Sequence, residues 1–129
     1  MSDRKLLITV WCLYLVGSLI HFIHNAEFLK DYPNLPDSWM RNGIYLAWVG
    51  MTLLGAIGLI LAIRSSKLIG LNCLVVYALL GIDSLGHYIV APFDSHTAAM
   101  NTTILLEVGA AVLLLTVAGQ QLYRAIARP

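Results

Sequence analysis

The sequence predicts an all-α fold, a bundle of four transmembrane helices with both termini in the cytoplasm. Three observations support this prediction: the composition, the spacing of the apolar runs and the placement of the basic residues. Of the 129 residues, 59% are hydrophobic and 12% are charged, and the mean hydropathy is +0.78. A soluble domain of this size would not carry so much apolar surface, because its exterior must face water.

The apolar residues form four runs, each of about 20 residues, which is the length that crosses a bilayer. Pro33 and Pro36 mark the first polar connection as a loop, because proline stops a helix. Asp94 or Ser95 is expected to cap the last helix. No long linker or repeat divides the chain, so residues 1–129 are predicted to form one membrane domain. In chain order, the predicted spans cover residues 6–28, 43–63, 68–90 and 98–122.

The basic residues predict the orientation, because they lie mostly on one side of these spans. Only Lys30 and Arg41 lie on the other side. By the positive-inside rule the more basic side, with both termini, is cytoplasmic. The short termini favour a bacterial inner membrane, and the net charge of +1 leaves no basic field for nucleic acid. The residues on the basic side are Arg4, Lys5, Arg64, Lys67, Arg124 and Arg128.

Polar side chains recur at one depth in all four spans. His21, Trp48, Asp83 and Glu107 lie 16 or 17 residues from the basic residue that begins or ends their span, at Lys5, Arg64, Lys67 and Arg124 respectively. At 1.5 Å per helical residue, this spacing corresponds to about 24–26 Å from the cytoplasmic side. We therefore expect the polar side chains to meet in one layer within the outer half of the bundle.

The segment HFIHNAEF, residues 21–28, carries most of this polarity in the first span. In the third span Asp83 and His87 share a helix face at i,i+4 spacing. Gly58-x-x-x-Ala62 and Gly109-Ala110-Ala111 offer small surfaces at which helices can approach closely. By face and depth, the residues predicted to contact a bound molecule are Tyr14, Asn25, Tyr45, Trp48, Thr52 and Thr103, with Tyr45 and Trp48 as an aromatic wall.

An acidic side chain within the hydrocarbon layer costs about 2.5–3.5 kcal/mol on insertion scales, so it indicates a functional site. A carboxyl group desolvated beside a histidine can hold a proton at neutral pH and donate it. These groups predict an enzyme that isomerises, hydrates or cyclises a lipophilic molecule such as a sterol, an isoprenoid or a quinone. The candidate catalytic residues are His21, His24, Glu27, Asp83, His87 and Glu107.

Other interpretations of the same residues remain open. Imidazole and carboxylate groups are ligands for Zn, Fe, Mn or Cu, and the candidate ligands are His21, His24, His87, Asp83 and Glu107. The same groups would suit a small metal-ion or proton-coupled transporter, which at four spans would need to form a homo-oligomer. A non-catalytic membrane subunit or ligand-binding module is a further alternative. His96 is expected to be a surface or capping residue of its loop.

HNAEF, residues 24–28, resembles the signature of the membrane family named for its HXXEE motif, whose function is unknown. His24 and Glu27 match the histidine and the first glutamate, and Phe28 stands where that family has the second. This resemblance implies a small helical membrane protein and no particular activity. Four spans with intramembrane acids and an aromatic wall are also similar in outline to the emopamil-binding sterol isomerase family, although no motif is shared.

Overall fold

The computed structural model describes residues 2–127, and most of this range is helical. The helices are α1 (Asp3–Glu27), α2 (Arg41–Arg64), α3 (Lys67–Ile82), α4 (His87–Val90) and α5 (Ala98–Ala127). Short 3-10 helices cover Leu29–Asp31, Asp83–Gly86 and Phe93–Ser95. Within the described chain, α1, α2, α5 and the segment Lys67–Val90 are each long and apolar enough to cross a membrane. An all-α fold with four such helices is therefore confirmed.

The outer surface of the bundle is strongly apolar. Each long helix exposes large aliphatic side chains, including Leu13, Leu53, Ile69 and Leu113, all of which are more than half exposed. A soluble monomer rarely exposes apolar surface on this scale, whereas lipid tails solvate it well. This surface is consistent with an integral membrane protein.

The four membrane-length segments pack in a ring, in which α2 is the least buried member. α3 packs against α2 and α5, and α1 packs extensively against α5 and less extensively against α2. Gly58 and Ala62 of α2 lie so close to Gly70 of α3 that a Cβ on Gly70 would overlap their backbone atoms. The predicted close approach at Gly58-x-x-x-Ala62 is thus confirmed. At the second predicted small surface, Gly109-Ala110-Ala111, a Cβ on Gly109 would meet no atom of another helix within 4 Å, so no helix packs closely against this glycine.

The interior of the bundle differs between its two ends. We call the end formed by residues 28–40 and 91–97 the loop end, and the opposite end, with residues 64–67, the terminal end. The core that extends to the terminal end is built from aliphatic side chains, including Leu7, Leu71, Leu74, Leu114 and Ala118, each at most 2% exposed. The buried histidines and Glu107 lie nearer the loop end, where a 3-10 turn interrupts the segment Lys67–Val90.

Two local features near the loop end differ from the sequence-based predictions. The third span is not one helix over residues 68–90, because the 3-10 turn Asp83–Gly86 interrupts it. The cap of α5 is Thr97 rather than Asp94 or Ser95: the Thr97 hydroxyl oxygen accepts a hydrogen bond from the Met100 backbone N–H at 3.2 Å. Asp94 and Ser95 belong instead to the 3-10 turn Phe93–Ser95, which ends before α5 begins.

Candidate functional site

A cavity of about 580 Å³ lies near the loop end between α1, α2 and the interrupted third span. The loop that connects α1 to α2 covers part of it with Trp39 and Met40. Most of its wall is apolar, with Phe22 from α1, Met51 from α2 and Leu80 from α3. A cavity of this volume with apolar walls fits a lipophilic small molecule.

Polar side chains line one part of the cavity. His21 and Asn25 come from α1, one helical turn apart, so both point to the same side. Asp83 and Ser84 come from the 3-10 turn, and His87 begins α4 directly after it. Asp83 is exposed, whereas His21 and His87 are buried at 1% and 8% exposure. The structure therefore brings His21, Asp83 and His87 together at one cavity, as the sequence predicted.

Glu107 lies directly behind this polar lining and is fully buried. The Ser84 hydroxyl donates a hydrogen bond of 2.6 Å to Oε2 of Glu107. The same oxygen lies 3.7 Å from Nε2 of His21. Oε1 of Glu107 has no hydrogen-bond partner within residues 2–127. Glu107 thus contacts two residues that line the cavity, His21 and Ser84.

The tautomer of His21 follows from its hydrogen bonds. The Thr103 hydroxyl donates to the Met100 carbonyl oxygen at 3.0 Å, so its oxygen accepts from Nδ1–H of His21 at 3.3 Å. A neutral His21 then carries no proton on Nε2, the nitrogen that faces the Glu107 carboxyl group. One proton can therefore reside on either His21 or Glu107, and at 3.7 Å its transfer between them needs a closer approach of the two groups or one intervening water.

His24 points away from the cavity and contacts the loop between α1 and α2. Its Nδ1 lies 2.9 Å from the hydroxyl of Tyr32, which is buried at 4% exposure. Burial raises the pKa of Tyr32 to about 12. Tyr32 therefore stays protonated at neutral pH and donates its hydrogen to His24. His24 acts here as an anchor for the loop.

His96 is buried, which corrects the prediction of a surface or capping residue. It is only 6% exposed, and its ring lies 6.1 Å from the ring of His87 and 5.3 Å from that of Tyr88. The prediction failed because residues 91–97 fold back over the bundle: Nδ1 of His96 donates to the Pro92 carbonyl oxygen at 3.1 Å. A third histidine thereby joins His21 and His87 in the polar region.

Glu27 does not reach the cavity. Its carboxylate forms an ion pair with Arg41 at 2.6 Å and accepts a hydrogen bond from the Tyr45 hydroxyl at 2.6 Å. Its side chain is 39% exposed, and Arg41 and Tyr45 both belong to the first turns of α2. Glu27 and Tyr45 therefore join α1 to α2 outside the residues that line the cavity.

Most of the side chains expected to contact a bound molecule take structural positions instead. Trp48 donates its indole N–H to the Ser18 hydroxyl oxygen at 3.2 Å, and Tyr14 donates to the Tyr77 carbonyl oxygen at 3.2 Å. Thr52 is partly buried in α2 away from the cavity lining. Thr103 orients His21, and Asn25 lines the cavity. The expected aromatic wall is thus replaced by Trp39, which the loop contributes.

Sequence reasoning missed Ser84, Trp39 and His96. A serine beside Asp83 within an apolar run was a usable signal for Ser84, but helical phase placed it about 100° from Asp83 and so outside the predicted face. The 3-10 turn brings both side chains to the cavity. Trp39 and His96 belong to loops, whose path the periodicity of helices does not describe.

The geometry does not support the predicted metal site. Among residues 2–127, no three histidine, cysteine, aspartate or glutamate side chains converge closely enough to hold a metal ion. Of the predicted ligands, His24 contacts Tyr32 and Asp83 faces the open part of the cavity. His21 and Glu107 form a close pair, and the ring of His21 also contacts that of His87, with centroids 5.4 Å apart.

Comparisons of the chain with protein-family models, with curated proteins and with solved structures found no match. The resemblance of HNAEF to the HXXEE signature therefore stays a prediction, as does the similarity in outline to the emopamil-binding sterol isomerase family.

Proposed function

We propose that the protein is a membrane-embedded enzyme that carries out acid–base chemistry on a lipophilic small molecule held in the cavity. One observation supports this proposal above the others. His21 lines the cavity, and the nitrogen that it keeps unprotonated lies 3.7 Å from the carboxyl group of the buried Glu107. A proton held by this pair can reach a bound molecule through His21 without passing through lipid.

Each polar residue then has a defined role. Glu107 stores the proton, and Ser84 holds its carboxyl group in place by the 2.6 Å hydrogen bond. Nε2 of His21 passes the proton between Glu107 and the bound molecule, because Nδ1 is held by Thr103. Asp83, which is exposed within the cavity, serves as a second acid or base at another position of the same molecule. Proton exchange at two positions is what an isomerisation, hydration or cyclisation requires.

The lining of the cavity favours a neutral substrate. Among the described residues that line it, Asp83 is a carboxylic acid and none is a lysine or arginine. An anionic lipid would therefore lose its hydration without gaining a cationic partner, which is costly in an apolar site. Uncharged sterols, isoprenoids and quinones fit this constraint, with a polar group directed to His21 and Asn25.

The apolar core favours an enzyme over a metal-ion or proton-coupled transporter. A transporter needs a polar route from one side of the membrane to the other. The cavity and its histidines lie near the loop end, whereas Leu7, Leu71, Leu74 and Leu114 fill the interior beyond them. The function proposed here needs access from one side only.

The orientation is part of the proposal. The basic residues at the terminal end favour a cytoplasmic location for both termini, so that the cavity opens toward the outer leaflet of a bacterial inner membrane. Single cysteines at Ser66 and Asp94, in a chain with Cys12 and Cys73 replaced by serine, test this orientation. The cysteine at position 94 should react with a membrane-impermeant maleimide in intact cells, and that at position 66 only after lysis. The opposite pattern would reverse the orientation.

Mass spectrometry of the lipids that co-purify with the protein tests whether the cavity holds a substrate. The Ala47→Trp variant should lose the bound molecule, because Ala47 lines the cavity and an indole would fill it. Leu53→Trp, on the outer face of α2, should retain it. Glu107→Gln should retain the molecule unconverted, since loss of a general acid lowers turnover by about 10²–10⁴-fold. An identical set of bound molecules in all four proteins would refute the proposal.

A further inference from the structure

Two buried nitrogen atoms of neighbouring histidines lack a hydrogen-bond partner within residues 2–127: Nδ1 of His87 and Nε2 of His96. Both side chains are more than nine-tenths buried, at 8% and 6% exposure. Buried polar atoms in native proteins are almost always paired, with another protein group or with an ordered water. These two atoms therefore point to a bound partner between the two rings.

The hydrogen bonds on the opposite side of each ring determine which atom donates. The Asn25 amide nitrogen lies 3.4 Å from Nε2 of His87 and donates to it, so a neutral His87 carries its hydrogen on Nδ1. Nδ1 of His96 lies 3.1 Å from the Pro92 carbonyl oxygen, which can only accept, so a neutral His96 leaves Nε2 without a hydrogen. One unsatisfied atom is thus a donor and the other an acceptor.

The rings are placed so that one small molecule can join them. Their centroids lie 6.1 Å apart and their planes are nearly perpendicular, at 83°. The ring of Tyr32 packs beside both, at 5.0 Å from His87 and 6.4 Å from His96. This is an edge-to-face contact of the two rings, and a single water beside it can accept from one nitrogen and donate to the other.

The two histidines face different sides of the bundle. His87 lines the cavity, and His96 lines a separate shallow groove at the loop end, together with Asp94, Asn101 and Thr102. A bridge between His87 and His96 would therefore connect the cavity with the outer surface of the protein.

We propose that His87 and His96 bind a buried water molecule and form with it a proton relay between the cavity and this groove. A proton that displaces the Asn25 amide from Nε2 of His87 makes the imidazolium ion, which releases its Nδ1 proton to the water. The water passes one of its own protons to Nε2 of His96, and the resulting imidazolium releases its Nδ1 proton to solvent in the groove as the hydrogen bond to Pro92 opens. A proton that passes in the opposite direction restores both Nδ1–H tautomers. His87 and His96 are thus positioning residues for proton exchange, since the chemistry at the substrate belongs to His21 and Glu107.

The use of this relay in turnover rests on the proposed acid–base function, whereas the water site and the tautomers do not. Nitrogen-15 NMR of the full-length protein in detergent micelles tests them directly. In the unmodified protein, His87 and His96 should both show the Nδ1–H tautomer at a pH where they are neutral. An Nε2–H tautomer at either residue would overturn the proposal, and this measurement requires no substitution.

Proton exchange supplies the second test. The Nδ1 proton of His87 should exchange with solvent about tenfold more slowly in His96→Phe, the factor that a barrier higher by about 1.4 kcal/mol gives. His96→Gln, which keeps a hydrogen-bonding group, should restore part of the rate. His24→Phe serves as the matched control, because His24 contacts Tyr32 rather than His87. Equal exchange rates in all four proteins would overturn the relay and leave the proposed function, which the Glu107 variant tests, unaffected.

Discussion

At the scale of single residues, the position of Glu107 depends on contacts from two other segments. Ser84 donates a hydrogen bond to its carboxyl group, and His21 approaches the same oxygen. A fully buried carboxyl group without such contacts would be costly in a membrane. The sequence predicted Glu107 and His21 as partners, because both lie at the same depth, and it did not predict Ser84.

Replacing Ser84 with alanine should lower the free energy of unfolding by about 1 kcal/mol, because it leaves an oxygen of the buried Glu107 without its donor. Unfolding by sodium dodecyl sulfate in mixed micelles, followed by circular dichroism, measures the change. Ser95→Ala, in an exposed turn, is the control and should leave the stability unchanged. Equal stabilities of the two variants would contradict the role given to Ser84.

The sequence placed Glu27 among the candidate catalytic residues, whereas in the structure it pairs with Arg41 and does not line the cavity. Glu27→Gln should keep full activity and lower stability by less than about 1 kcal/mol, the usual value of an exposed ion pair. Glu107→Gln makes the same chemical change at the buried position and should abolish activity. A loss of activity in the Glu27 variant comparable to that in the Glu107 variant would show that Glu27 takes part in catalysis.

At the scale of elements, the 3-10 turn Asp83–Gly86 decides which side chains reach the cavity. A continuous helix would direct Asp83 and His87 to one face and Ser84 to another. The turn changes this phase, so all three residues line the cavity. Residues 83–86 contain no proline, but Asp, Ser and Gly are weak helix formers, so composition gave a signal for this turn that hydropathy does not record. Hydropathy therefore predicted the span correctly and its internal geometry only in part.

The close packing of α2 against α3 at Gly70 leads to a prediction about stability. Gly70→Ala should destabilise the protein by about 2 kcal/mol, since the added methyl group meets the backbone of Ala62 and Gly58 in a packed interface. Gly50→Ala adds the same group where nothing lies within 4 Å, and should stabilise α2 slightly through its higher helix propensity. Unfolding in mixed micelles distinguishes the two. A Gly70→Ala variant as stable as Gly50→Ala would argue against this packing.

At the scale of the whole molecule, the bundle combines a closed apolar end with an end that contains the cavity. Apolar periodicity and length were enough to predict four helices, because the lipid environment imposes both. The relative rotation of α2 was not predictable, since this helix is largely apolar and carries no acidic or basic side chain between Arg41 and Arg64. For this reason Tyr45 and Trp48 were expected in the cavity, whereas they contact Glu27 and Ser18.

The low burial of α2 leaves room for the cavity beside it. Only Ile44, Gly55 and Gly58 of this helix are buried, so its outer half does not close the space beside His21 and Asn25. The loop with Trp39 and Met40 covers that space incompletely. A lipophilic molecule can therefore enter from the bilayer and meet the polar lining without crossing the aliphatic core.

The most direct test of the proposed chemistry is deuterium incorporation from heavy water into the molecule that co-purifies with the protein. Reversible proton transfer through His21 and Glu107 would introduce deuterium at carbon, which mass spectrometry detects. We expect incorporation with the unmodified protein and with Asp31→Asn, an exposed loop variant, and about 10²–10⁴-fold less with Glu107→Gln. Absence of incorporation with the unmodified protein, or equal incorporation with Glu107→Gln, would contradict acid–base catalysis by this pair.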